Sequence, residues 1–393
     1  MDRTDRLTGY FTCLAVTLFF ALVLVPRPAT AMQGKQLLDD LIAKAKKEGS
    51  LDTAFVSEAG PANPALIQAF KKRFGLENLE VNVAVGNQPR MFAQLKAQLS
   101  AGVPPTLDSL TGSEENVSEA IGAGRVVPIE NWQLLLAEIN PLVRSGKVKP
   151  GDISPGMFAG QSFIWGNRVK ALVYNPKVIS EQDLPKTHLD IANPKYKGKY
   201  VVPPWIDEWL LGMLVYKDKA KWLGTVDQIG KNALGVLHLT SALQRLLLGD
   251  IAFMPGNGYH YFQAKGKDPT APVEVTYWSD YTGITRISYA VTKGARHPAA
   301  AALWNLWMTT PEAEAIWQPI ALYSNVSFGQ SDYDKKVRDK FRQANSPVIS
   351  FYENDETRKE LAWLGTTEEG IAYRNSIVRA ATQRQQKKKS KKK

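Results

Sequence analysis

The chain has 393 residues, 44% of them hydrophobic, and a formal net charge of +11. Six of those excess charges lie in the last seven residues, Lys387 to Lys393, so the body is only mildly basic; the lysines are not interleaved with aromatic residues, which argues against a nucleic-acid partner. Cys13 is the only cysteine, which excludes a disulfide framework, a zinc–thiolate site or a cysteine nucleophile from everything after it.

Arg3 and Arg6 open the chain, followed by an uncharged, mostly apolar run from Tyr10 to Val25, then Pro26 and the small-x-small stretch Ala29-Thr30-Ala31. This is the layout of a secretory leader cleaved after Ala31. The run is shorter than the ~20 residues that span a bilayer as a helix. The mature protein is expected to start near Met32 and to work in the periplasm.

Leu37, Leu38, Leu41, Ile42 and Ala45 recur at helical spacing up to Gly49. Leu51 to Ser57 reads as a strand. Asn63-Pro64 opens a helix through Phe74, stopped by Gly75. Leu79 to Val85 alternates as a strand, Met91 to Leu99 marks a helix, and Leu107 to Leu110 is a strand. This rhythm predicts an open, largely parallel sheet. Trp132 to Asn167 is rich in Gly, Pro and polar residues and reads as irregular. Strands follow at Val169 to Tyr174, Lys199 to Val202, Ile251 to Met254, Val273 to Tyr277 and Ile287 to Val291. Helices are expected near Trp209 to Tyr216, Leu239 to Leu248, Pro298 to Met308 and Pro311 to Trp317. The length suits two α/β lobes.

Motifs for zinc peptidases, serine hydrolases and phosphate-cradling loops are absent. The four histidines, His188, His238, His260 and His297, show no metal-ligand spacing. No enzyme activity and no cofactor are expected.

Six segments, in order, resemble the bacterial extracellular solute-binding proteins that feed ABC importers, especially the ferric-iron-binding branch. They are Ala45-Lys46-Lys47-Glu48-Gly49, Pro64 to Phe70, Val173-Tyr174-Asn175-Pro176, Asn193 to Lys199, Leu248-Gly249-Asp250 and Lys293 to Ala302. The resemblance implies a class II periplasmic-binding-protein fold, with two lobes, each a mixed sheet flanked by helices, hinged about a cleft. The expected division is residues 1–31 as leader, 32–140 with 284–335 as lobe 1, 141–283 with 336–385 as lobe 2, and 386–393 as a basic disordered tail. A monomer that captures a small solute and delivers it to an inner-membrane permease is implied.

By the same resemblance, the loop after the first strand supplies Ser57 and Glu58, and the loop after the third supplies Gly112 and Ser113. Ser113 also reads as a helix cap before Glu114-Glu115. Trp205 follows Pro203-Pro204 as a wall for an organic ligand or as core. Asn257-Gly258-Tyr259-His260-Tyr261 resembles the N-x-Y-Y segment of ferric binders, with His260 in place of the second tyrosine. A ferric ion would use Glu58, Tyr259, His260 and Tyr261. Because His260 is a softer donor than phenolate, a small organic or phosphorylated anion is favoured. Arg286 offers it a planar fork, or else forms a salt bridge with Asp280. An enzyme on the same scaffold, with Glu58 or His260 as base, is the alternative of another class.

Overall fold

The computed structural model describes residues 28–390 except 87 and 327, and side chains from 32 to 382 except 58, 87 and 327. Most of the expected leader lies outside these residues; Pro28 to Ala31 open the first helix, Pro28–Glu48. Among the described residues no helix is long and apolar enough to cross a membrane.

Among the described residues nine strands form the framework: β1 (Ser50–Val56), β2 (Glu80–Gly86), β3 (Ser109–Ser113), β4 (Val126–Val127), β5 (Phe163–Tyr174), β6 (Phe253–Asn257), β7 (Glu274–Thr276), β8 (Thr282–Thr292) and β9 (Val348–Ile349). The main path runs β2-β1-β3-β8-β5-β6. β1 pairs parallel with β2 and β3, as alternating strands and helices require. β8 then enters antiparallel between β3 and β5, and β6 and β7 pair antiparallel with the far end of β5. The sheet is therefore mixed, not largely parallel: the return of the chain through β8 reverses the direction.

β5 and β8 are the long strands, buried along nearly their whole length. Phe163 to Val169 of β5 pairs with β8, and Lys170 to Tyr174 pairs with β6. These two strands thus carry the chain from one half of the molecule to the other. The Gly-, Pro- and polar-rich stretch from Trp132 to Asn167 holds three short α-helices and the start of β5, Phe163 to Asn167. Its Gly160 carbonyl accepts from the Ile129 N–H, and within the segment Trp132 packs edge-on against Phe163 at 6.0 Å.

Lys199 to Val202 makes only single bridges, Tyr200 with Phe253 and Val202 with Val236. Pro203 and Pro204 lack the N–H that would extend the pairing. Helices also cover the C-terminal part. Asp332–Gln343 packs Val337 and Phe341 inward, and Asp355–Thr366 lies against Glu114–Gly122. Glu368–Ser390 lies on Lys219–Asn232 and extends into the lysine-rich segment expected as a tail.

Candidate functional site

The parallel strands end at one place. Val56 and Ser57 at the end of β1, Gly86 at the end of β2 and Ser113 at the end of β3 line one cavity. Crevices at strand carboxyl ends are the usual ligand site of α/β sheets, because helix N-termini converge there. Gln88 starts one such helix, and Glu115 and Asn116 lie in the first turn of another. From the other side come Trp205, Asp207 and His238. Arg168 of β5 and Tyr323, just after helix Pro311–Ala321, form the floor. The space left is about 90 Å³.

Arg168 donates to Gln88 Oε1 at 3.2 Å and lies 5.6 Å from the centre of the Tyr323 ring. Lys170, two residues on, points to the same face, as strand geometry requires, and its ammonium donates to Asp207 Oδ2. Thr285 Oγ donates to the same oxygen at 2.9 Å. Burial opposes the charge on Asp207, but Lys170 and Arg168 overcome this and hold its carboxyl below the ordinary range. Asp207 is only 4% exposed, and its other oxygen, Oδ1, has no hydrogen-bond partner among the described residues.

Glu115 shifts the other way. Burial, then the neighbouring Asp207 charge, push its carboxyl up, against the pull of Ser113 and Arg168. Ser113 Oγ donates to Glu115 Oε1 at 2.6 Å and accepts from Asn116 at 2.9 Å. Ser113 does precede its helix, but its side chain makes no capping bond to the backbone. Behind Asp207 a buried polar chain continues: His188 joins Glu208 at 2.8 Å to Asp280 at 3.0 Å, and Tyr216 donates to Asp280.

The expected site residues divide. Ser57, Ser113 and Trp205 line the cavity, Trp205 meeting His238 edge-on at 5.0 Å. The Glu58 side chain lies outside the described residues. Gly112 is packing rather than lining: an added Cβ would meet Phe92 at 2.6 Å. Asn257 stands opposite Lys170 in the sheet. It is fully buried, and neither of its side-chain polar atoms has a hydrogen-bond partner among the described residues. Tyr259 stacks on His260 and lies 5.5 Å from the ring of Tyr323. His260 is buried, with Nδ1 3.0 Å from the Asn257 carbonyl. Tyr261 packs against Phe262 and under Lys340. None of Tyr259, His260 and Tyr261 lines the cavity.

Arg286 lies elsewhere. Its Nε donates to Ser350 and its guanidinium approaches Glu353 at 3.6 Å, while Asp280 pairs with His188 instead. Sequence reasoning missed Gln88, Asn116, Arg168, Asp207, His238 and Tyr323. For Arg168 a signal existed: Asn167, Arg168 and Lys170 are polar residues set inside an apolar run.

The family model for bacterial extracellular solute-binding proteins matches residues 65–324, well over half of the chain. The chain belongs to that family. This solute-binding protein has no match among curated proteins. Its fold is that of solved two-lobed binding proteins. Iron-bound HitA from Pseudomonas aeruginosa superposes with a TM-score of 0.65 at 18% identity, covering 84% of this chain and 99% of that one. AfuA from Actinobacillus pleuropneumoniae, solved with fructose-6-phosphate, gives 0.58 at 15% identity, over 80% and 96%. A putative spermidine/putrescine ABC transporter protein from Listeria monocytogenes gives 0.58 at 14%, over 84% and 98%. The solute-binding protein accordingly belongs with proteins that bind solutes outside the cytoplasm.

Proposed function

We propose that this solute-binding protein captures a small organic anion, carboxylate or phosphate, that also carries hydroxyl or ammonium donors. One observation carries this reading. The Arg168 guanidinium and the unpartnered Asp207 Oδ1 share one cavity, between the aromatic walls Trp205 and Tyr323. A guanidinium suits an anionic head. A buried carboxylate oxygen without a partner carries a desolvation cost of roughly 1–3 kcal/mol or more, which a donor on the solute would remove. Ser57 and Asn257 add polar contacts as the lobes close. The lobes are taken as 32–140 with 284–335 and 141–283 with 336–385, with β5 and β8 bending between them. The leader is removed after Ala31, and the protein acts as a periplasmic monomer.

Isothermal titration of the full chain against a panel of hydroxy acids, amino acids and sugar phosphates tests this. Saturable one-to-one binding that disappears in Arg168→Gln is expected. Binding only to uncharged or purely cationic solutes would overturn it.

A ferric ion is the second reading, favoured by the 5.5 Å approach of the Tyr259 and Tyr323 rings beside the cavity. Phenolate is a hard ligand that suits a hard trivalent ion. It requires a visible phenolate-to-iron absorption band on loading with ferric citrate, lost in Tyr259→Phe. A colourless protein after loading excludes it.

A further inference from the structure

A second cavity, of about 520 Å³, lies on the other face of the crossing strands. In the β5–β8 register Arg168 is opposite Thr285, and Asn167 is opposite Arg286. Neighbouring residues of a strand point to opposite faces. Arg168 and Thr285 therefore face the cleft, while Arg286 faces away from it into this second space. Four guanidiniums line that space, Arg286, Arg338, Arg342 and Arg358, against two carboxylates, Asp152 and Glu353.

The four arginines come from separate parts of the chain. Arg286 belongs to β8, Arg338 and Arg342 lie one turn apart on helix Asp332–Gln343, and Arg358 is on helix Asp355–Thr366. Arg286 is 8% exposed. Among its partners are Ser350 at 3.2 Å, Asn167 at 3.4 Å and Glu353 at 3.6 Å. Arg358 donates to the Tyr352 carbonyl at 3.0 Å and pairs with Asp355, but its Nε is buried and has no hydrogen-bond partner among the described residues. Arg338 holds the Gly329 carbonyl at 2.9 Å. Arg342 is exposed and lies 3.7 Å from Asp339.

Asp339 and Asp355 offset part of the charge of Arg342 and Arg358 from outside the recess; within its lining the guanidiniums outnumber the carboxylates, and guanidinium forks are matched by phosphate and carboxylate oxygens. We propose that this recess is a second binding site, distinct from the solute cleft, for a small free polyanion bearing two or more phosphate or carboxylate groups. The site does not depend on what the cleft takes.

The test uses the full chain with inorganic pyrophosphate and, separately, citrate, each against sodium chloride of equal ionic strength. Saturable binding by calorimetry is expected, with amide-exchange protection at residues 284–287 and 338–353 and none at 113–116. Arg342→Gln should weaken it about tenfold, the equivalent of ~1.4 kcal/mol, and Arg342→Glu should abolish it. Because Arg342 is exposed, neither change threatens the fold. Arg168→Gln should leave it intact. No binding beyond the chloride control, equal binding by Arg342→Glu, or loss in Arg168→Gln would each overturn the proposal. The last outcome would assign the anion to the cleft.

Discussion

Arg168 and Arg286 sit on the same pair of antiparallel strands one register step apart, and face opposite sides of it. One is the floor of the solute cleft; the other lines a recess behind the strands. Each side therefore makes its own demand on the same backbone.

Arg168→Gln should cost at least tenfold in solute affinity, since a hydrogen bond to a charged group contributes roughly 1.5–3 kcal/mol. Arg168→Lys should restore only part of this, because a point charge replaces a fork. Titration calorimetry checks both, and the unliganded melting temperature should stay close to wild type.

Two glycines on one helix separate close packing from propensity. An added Cβ at Gly230 would meet the Ala380 carbonyl oxygen at 2.2 Å, a backbone atom, whereas at Gly224 it meets nothing within 4 Å. Gly230→Ala should destabilise by about 1–3 kcal/mol as the C-terminal helix is pushed off. Gly224→Ala should stabilise by about 0.5–1 kcal/mol. Urea unfolding monitored by the tryptophans reads both.

The buried pair Lys170–Asp207 should tolerate loss of both charges better than loss of one. Asp207→Asn leaves the Lys170 ammonium, in a site 2% exposed, with only the longer 3.9 Å pairing to Glu208, and should cost about 3 kcal/mol. The double variant Lys170→Met, Asp207→Leu should recover most of that in thermal unfolding while losing solute binding. A double variant no more stable than the single one would count against this account of the pair.

Stability should fall as pH rises from mildly acidic to mildly alkaline. Burial pushes the Glu114 carboxyl up to about 8 and that of Glu314 up to about 9. A carboxyl raised on folding favours the folded state while protonated, and loses that contribution between its unfolded value, about 4.3, and its folded one. His188 has the same sign: burial works against its charge, but Asp280 and Glu208 outweigh it and raise its pKa. Its contribution is complete below about 6.5 and is lost above its folded value. Asp207 and Asp280 are held low and act oppositely, losing their contribution only in acid. Denaturation midpoints from pH 4.5 to 9 should therefore decline toward alkaline pH. Glu114→Gln should flatten the slope.

The family resemblance and about half of the α-helices were legible because apolar residues recur at helical spacing and because Gly75 and Gly249 adopt the left-handed cap conformation their positions suggest. The apolar run that marks a strand starts at Val169, whereas β5 starts at Phe163, because Asn167 and Arg168 interrupt the apolar pattern. In the fold each polar group has its own partner: Asn167 bonds Ser324 and Asn325, and Lys170 bonds Asp207. Arg286 was placed in the cleft where Thr285 stands, an error of one residue in a strand. Period-two geometry makes such a slip a change of face, and a single sequence does not show parity. Tyr323 had no local signal, because its place depends on how helix Pro311–Ala321 docks. The helix Asp332–Gln343 did have one: Ser331 caps it and Val337 and Phe341 share its inner face.

Asn167 and Arg286 touch although 119 positions separate them. Contacts so distant along the chain form late, because a long loop must close first. The central sheet stays incomplete until Thr292 has been synthesised, so three quarters of the polypeptide must emerge before its backbone can lock. A nascent chain delayed in this way remains threadable, which suits a protein that has to leave the cytoplasm before it matures.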